Sequence, residues 1–322
     1  MSVETLPSKP LLKPWYRLAT DDGRLLLEHG HSVVVFEGEA ATRLLPPLLA
    51  LLDGSRGIDE LTSALGPAVA PAVLDALRLL GERGLLLEGY PTASHDGLRE
   101  EAAQAIVAAG SGSGGVDDVL ERLVALRLGI GGRGQIAEEV ARLLRLTGAT
   151  VEPVEADGSR VAAFDLVVVA PDSAELRQLE RWNRLALDEG FPWLQVLPFD
   201  GRFAAIGPLF VPRETCCLEC YRLRRAANVD CLDEYRALEG APAFYPVGPI
   251  WARTIAGLAV SQALRWLVGG DAYVPGLLFT LELSPALQVR HHHVFRVPRC
   301  PACSETSGAA SPHPWFQEVT SA

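Results

Sequence analysis

Two Cys-x-x-Cys pairs, Cys217-Leu218-Glu219-Cys220 and Cys300-Pro301-Ala302-Cys303, constrain this chain more than any other feature. Four thiolates at two-residue spacing suit one tetrahedral Zn²⁺ site, because each turn aims both sulfurs at a common point. The segment between the pairs is far longer than in a zinc finger, so a shared metal would clip a late stretch of chain onto an earlier one. Disulfides and a thioredoxin-type redox motif are the alternatives. Nothing between Met1 and Pro10 resembles a secretory signal, which predicts a reducing cytoplasm, where disulfides are rare. A redox motif needs a strand-to-helix junction, whereas Pro212 and Pro298, just upstream of the pairs, favour knuckle-like turns. With no partner His, the expected zinc is structural. The leftover Cys216 and Cys231 read as small buried residues.

At 322 residues the chain has room for two domains with real cores. Its net charge of −11 argues against a nucleic acid partner. No apolar run is long enough to span a membrane. Lysine occurs only at Lys9 and Lys13; every later cation is Arg or His.

Residues 1–92 form one predicted unit. Strands are expected at Trp15–Leu18, Arg24–Glu28 and Ser32–Phe36, separated by the turn signals Asp21-Asp22-Gly23 and His29-Gly30. Helices follow at Glu39–Leu52, bent by Pro46-Pro47, at Ile58–Leu65, and at Val69–Arg83. Three small strands and three helices make a winged-helix pattern. Residues 93–118 read as a linker, with a short helix over Leu98–Ala108 and a glycine-serine tether ending at Gly115. Residues 119–322 turn to an α/β pattern in which Phe164–Ala170 is an apolar run of the kind buried in a parallel sheet. The overall fold class is therefore α/β, a winged helix joined to a Rossmann-like domain with a zinc site.

Within the second domain Gly129, Gly131 and Gly134 fit the GxGxxG fingerprint between a strand and a helix. The loop can hold a phosphate at the helix N-terminus, or it can be a tight turn kept for packing. Glu152, Glu155 and Asp157 are candidates for a ribose-binding acid. No proton-relay constellation points to a dehydrogenase.

The glycine loop, the Phe164–Ala170 strand and two knuckles flanking a long helix resemble the ThiF/MoeB-type adenylating enzymes. That resemblance implies a lysine for the triphosphate, which this chain lacks after Lys13; only Arg160 stands nearby, and Arg is not equivalent to Lys there. A single acid, Asp172, stands where the family places its magnesium-binding or reaction-centre Asp. ATP on this chain is accordingly not expected, and Gly129, Gly131 and Gly134 read as vestigial. A winged helix ahead of such a domain, with knuckles at Gly207–Arg225 and Val297–Cys303, resembles the ocin-ThiF-like partner proteins of YcaO cyclodehydratases. These act in thiazole- and oxazole-modified peptide biosynthesis.

The resemblance implies a non-catalytic, cytoplasmic subunit that binds a precursor leader peptide by strand addition to a sheet edge and presents it to a YcaO subunit. In that partner a substrate Cys, Ser or Thr attacks the preceding amide, ATP phosphorylates the oxyanion, and phosphate leaves to give an azoline. The expected edge is Ser32–Phe36 and the groove wall Val69–Arg83, with Val33, Val35, Leu74, Leu77 and Arg78 as contacts; about half of these are expected to be core. Cys217, Cys220, Cys300 and Cys303 would hold zinc. The second reading is an ATP-dependent adenylating enzyme. A homodimer stays open. DNA binding by the winged helix is disfavoured by its excess of acids. The run His291–His293 reads as a half-exposed strand, since His292 faces away from its neighbours.

Overall fold

The computed structural model describes residues 6–13, 16–29, 32–89, 103, 105–107, 115–157, 161–233, 238, 246–282 and 286–304. They divide into two compact units. One comprises Met1–Ala125 with Leu146–Gly148 and Leu267–Asp271, the other Leu126–Arg145, Ala149–Trp266 and Ala272–Ala322. Most of the helix expected over Leu98–Ala108, the tether before Gly115, and Arg160 lie outside the described residues.

In the first unit β1 (Pro10–Leu12) pairs antiparallel with β5 (Leu86–Glu88), a short ladder that the sequence reading missed. Glu88 reinforces it by accepting from the Ser8 amide and hydroxyl at 2.7 and 2.6 Å. Strands β2 (Tyr16–Asp21), β3 (Arg24–His29) and β4 (Ser32–Phe36) form an antiparallel sheet in that order. The helix expected over Glu39–Leu52 is two: α1 (Glu39–Arg43) and α2 (Leu45–Leu51). Proline is tolerated only in the first turn, where its missing N–H is not needed, so Pro46 forces a new helix to start at Leu45. Helix α3 (Ile58–Leu65) opens with the Glu60 side chain accepting from the Gly57 amide at 2.8 Å. Helix α4 (Ala70–Glu82) buries Val73, Leu77 and Leu80 at helical spacing. These meet Leu25, Leu27, Val34 and Phe36 from one face of the sheet. Each such side chain contributes on the order of 1.5–3 kcal/mol. Helix α5 (Val116–Ala125) closes the unit.

The second unit is built on a seven-stranded sheet in the order β12-β11-β10-β9-β8-β6-β7. Strands β6 (Arg127–Gly131), β7 (Thr150–Val154), β8 (Leu166–Val169) and β9 (Trp193–Leu197) are mutually parallel where they pair. Helices α6 (Gln135–Leu146) and α7 (Gln178–Glu189) connect them. All of β8 is buried, as its unbroken apolar run predicts. Strand β10 (Phe203–Phe210) reverses direction, and β11 (Leu277–Glu282) and β12 (Gln288–His293) extend the sheet as an antiparallel meander. Between β10 and β11 lie α8 (Leu218–Ala226) and α9 (Pro249–Leu267). Among the described residues no single helix is long and apolar enough to cross a membrane.

Candidate functional site

The four cysteines converge. Cys217 Sγ lies 3.8 Å from Cys220 and 3.7 Å from Cys300, Cys220 Sγ lies 3.5 Å from Cys303, and all four sulfurs fall within 4.8 Å of one another. A tetrahedron with Zn–S bonds of about 2.3 Å puts its sulfurs about 3.8 Å apart. The arrangement is within metal-binding distance and compatible with structural zinc.

Local structure explains the convergence. After β10 the chain turns through Val211, whose amide donates to Thr215 Oγ1 at 2.8 Å, with Arg213 at φ 71°. Cys217 is the N-cap of α8, so the first pair does occupy a strand-to-helix junction. The second pair, not the junction, separates it from a redox motif. That pair turns at Arg299, φ 58°, with the Cys300 amide donating to Val297 O at 3.1 Å. The Val297 amide in turn donates to Cys220 Sγ at 3.3 Å.

Three polar side chains brace the two knuckles, and none was foreseen. Arg296 donates to Arg213 O at 2.7 Å and Cys303 O at 2.9 Å, tying one turn to the other. Arg224 donates to Phe295 O and Arg296 O. Buried Asn183 on α7 accepts from the Leu218 amide at 2.9 Å. All three act through backbone groups distant in sequence, which no local spacing reveals.

Electrostatics suit a cation. The hydrogen bond from the Cys217 thiol draws Cys220 down to about 4, and the same bond together with burial pushes Cys217 up. Burial raises Cys303 to about 11 and Cys216 to about 12. Metal binding at such a cluster would release the protons that its thiols carry. Cys216 is buried as expected, but Cys231 is exposed, correcting its reading as a buried residue.

The glycine loop is of a different kind. It follows β6, between the strands that branch to either side of it, the position where open α/β sheets bind ligands. Yet a Cβ on Gly131 would lie 2.5 Å from the Trp182 ring, and one on Gly132 (φ 96°) would lie 2.4 Å from Ala170 O. Packing alone therefore accounts for glycine at both positions. A Cβ on Gly129 would meet Val154, Phe164 and Val167 less tightly, at 3.0–3.3 Å, while Gly134 has only Asp172 near its open side. Glu152 and Glu155 pair with Arg127 and Arg133, at 3.5 and 3.3 Å. Asp172 caps a short 3₁₀ turn, accepting from the Ser173 amide at 2.5 Å.

In the first unit β4 pairs only with β3 among the described residues, leaving one edge open. Val33 and Val35 are 56% and 46% exposed, while Val34 and Phe36 are buried. Leu77 is fully buried beneath α4, Leu74 is half-buried, and exposed Arg78 pairs with Asp75 at 2.9 Å. The five candidates do not form one surface. Val34 and Phe36 pack in the core with Leu77, so alternation sends Val33 and Val35 to the opposite sheet face. The His291–His293 strand, expected half-exposed, is exposed throughout.

An α/β chain with a mixed seven-stranded sheet, a four-cysteine cluster and a small N-terminal α+β unit is thereby defined. Several solved structures are similar to it in fold. The heterocyclase TruD matches with TM-score 0.68 and 25% identity over 92% of this chain and 43% of that one. A heterocyclase in complex with substrate and cofactor matches with TM-score 0.67 and 21% identity, over 91% and 39%. MccB from E. coli matches with TM-score 0.64 and 14% identity, over 92% and 97%. The resemblance read from the knuckles, glycine loop and N-terminal unit is borne out at the level of fold. The chain spans less than half the length of the heterocyclase structures it matches. No family model and no curated protein matches the sequence.

Proposed function

We propose that this protein is a leader-peptide-binding scaffold subunit of an azole- or azoline-forming cyclodehydratase, presenting a ribosomal precursor peptide to a separate ATP-using YcaO subunit. The observation that carries this reading is the open β4 edge, with Val33 and Val35 exposed, on a fold shared with a heterocyclase. In this reading residues 1–92 are a winged-helix recognition element, 93–118 a linker, and 119–322 a degenerate ThiF-like domain. A disordered leader adds to β4 as a fourth strand, its backbone supplying affinity. Alternate leader side chains then meet Val33 and Val35 on one face and Leu74 and Arg78 on the other, with Leu77 supporting from below. Tethering the leader raises the concentration of the core peptide at the partner's active site. Cys217, Cys220, Cys300 and Cys303 hold a structural Zn²⁺, consistent with free thiols in a reducing cytoplasm.

Anisotropy of a labelled leader peptide, titrated with the full chain, tests this. Val35→Pro is expected to weaken binding more than Val35→Ala, because proline deletes a backbone donor as well as a side chain. No binding at tens of micromolar, or the reverse order, would remove strand addition at β4. The second reading, an adenylating enzyme, is favoured by the position of the glycine loop at the branch between β7 and β8. It predicts ATP–pyrophosphate exchange by the isolated protein; the scaffold reading predicts none.

A further inference from the structure

Strand β12 is an open edge of the seven-stranded sheet. Among the described residues it pairs only with β11, and all six of its residues are exposed. Its opposite partners Leu277 and Leu281 on β11 are buried, so the apolar face of the sheet runs outward to the edge. There, among the described residues, it ends in an uncovered stripe at alternate positions: Leu287 (66% exposed), Val289 (54%), His291, His293 and Phe295 (68%). The rings are ordered along it, with His291 6.3 Å from Phe279 and His293 stacked 6.1 Å from Phe295.

Charge on this segment is one-sided. From Leu283 to Ser304 there is no Asp or Glu, while Arg290, Arg296 and Arg299 fall in the same stretch. In a chain whose net charge is −11, that is a local reversal of sign. Cations on an edge strand guard against self-pairing, but that role does not call for the exposed Leu, Val and Phe between them. Beside this segment Glu282 is shared by Arg202 and Arg290, at 3.2 and 3.7 Å, so two cations face one acid there. Open backbone donors and acceptors, alternate apolar side chains and this excess of positive charge together describe one occupant. We propose that β12 receives an extended, acidic segment of a partner polypeptide by strand addition. This edge is separate from β4 and does not depend on the leader-binding reading.

A fluorescein-labelled ten-residue peptide alternating Glu and Val serves as probe for the full chain. Binding is expected, with Val289→Glu and Arg290→Glu each weakening it about tenfold or more through like-charge repulsion. Circular dichroism and metal content check that both variants remain folded. Copying the probe with alternate N-methyl groups should abolish binding, since the strand ladder is lost. Val35→Pro should leave binding unchanged, which separates this edge from β4. Equal binding of the N-methylated probe would reduce the contact to charge alone and overturn strand addition. Unchanged binding by both β12 variants would overturn the site. Failure of the probe to bind, with Val289→Glu turning a dimer into a monomer, would assign the edge to a second copy of this chain instead.

Discussion

The cysteine cluster and the glycine loop lie in the same unit, and each announces itself by a short motif. Their fates differ. Around the cysteines neighbouring polar groups serve the site: Arg296 links the two turns, Asn183 holds the start of α8, and the Val297 amide donates to a sulfur. Around the glycines the acids are occupied elsewhere, Glu152 and Glu155 with arginines and Asp172 with a cap, while Trp182 takes the space beside Gly131. A motif made of ligands specifies its chemistry, because four thiols close together require a cation or protons. A motif made of glycines specifies only that something approaches the backbone, and an indole meets that requirement as well as a phosphate does.

The sharpest way to break the contrast is to remove a ligand. Cys217→Ser or Cys300→Ser should abolish bound metal, measured by elemental analysis, and the protein should lose most of its soluble yield. Apparent zinc binding in small structural sites is about 10–16 kcal/mol, and this cluster is embedded among Trp182, Trp193 and Phe210 in the core of its unit. A metal-free variant that melts like the parent would leave the cysteines as ordinary core residues.

Gly131→Ala tests the other side. The added methyl would meet the Trp182 ring at 2.5 Å in a buried site. Overpacking of this kind costs about 1–3 kcal/mol, measured by urea denaturation. The cost should shrink when Trp182→Ala is also present, since the two residues share one space. If ATP at millimolar concentration raises the melting temperature of the parent, the loop is a cradle after all and the contrast collapses.

Much of this was legible in the sequence because local rules and tertiary packing agree. Ile58–Leu65 reads as a short helix stopped by Gly66-Pro67, and the same residues are the observed helix. The buried β8 (Leu166–Val169) was visible within the apolar run Phe164–Ala170. What was not legible depends on distant partners. The β1–β5 ladder joins Pro10–Leu12 to Leu86–Glu88 across the whole first unit. Ser32–Phe36 was legible as a strand, but its run of three valines does not say which face meets the core. Arg224 and Arg296 look like solvated arginines until the backbone carbonyls they hold are seen.

A smaller effect is expected at Asp172. As a cap on the 3₁₀ turn, its replacement by Ala should cost about 1 kcal/mol. A metal-binding role would show instead as a lost Mg²⁺-dependent shift in stability with little change without the ion.

The smallest effect separates the two leftover cysteines from the cluster. Cys231→Ser, at an exposed position, should change stability by less than about 0.5 kcal/mol and leave the metal content intact. In the metal-loaded protein at pH 8, alkylation followed by mass spectrometry should therefore modify Cys231 alone. Cys216 is shielded by burial, and its thiol, pushed up to about 12, supplies almost no thiolate at that pH. Chelation should then expose the cluster cysteines to the reagent as the knuckles open. Labelling of Cys300 or Cys303 before chelation would mean that the late segment is not clipped to α8 by a metal. It would also place the cysteine pairs beside the glycines, as a motif whose function is packing.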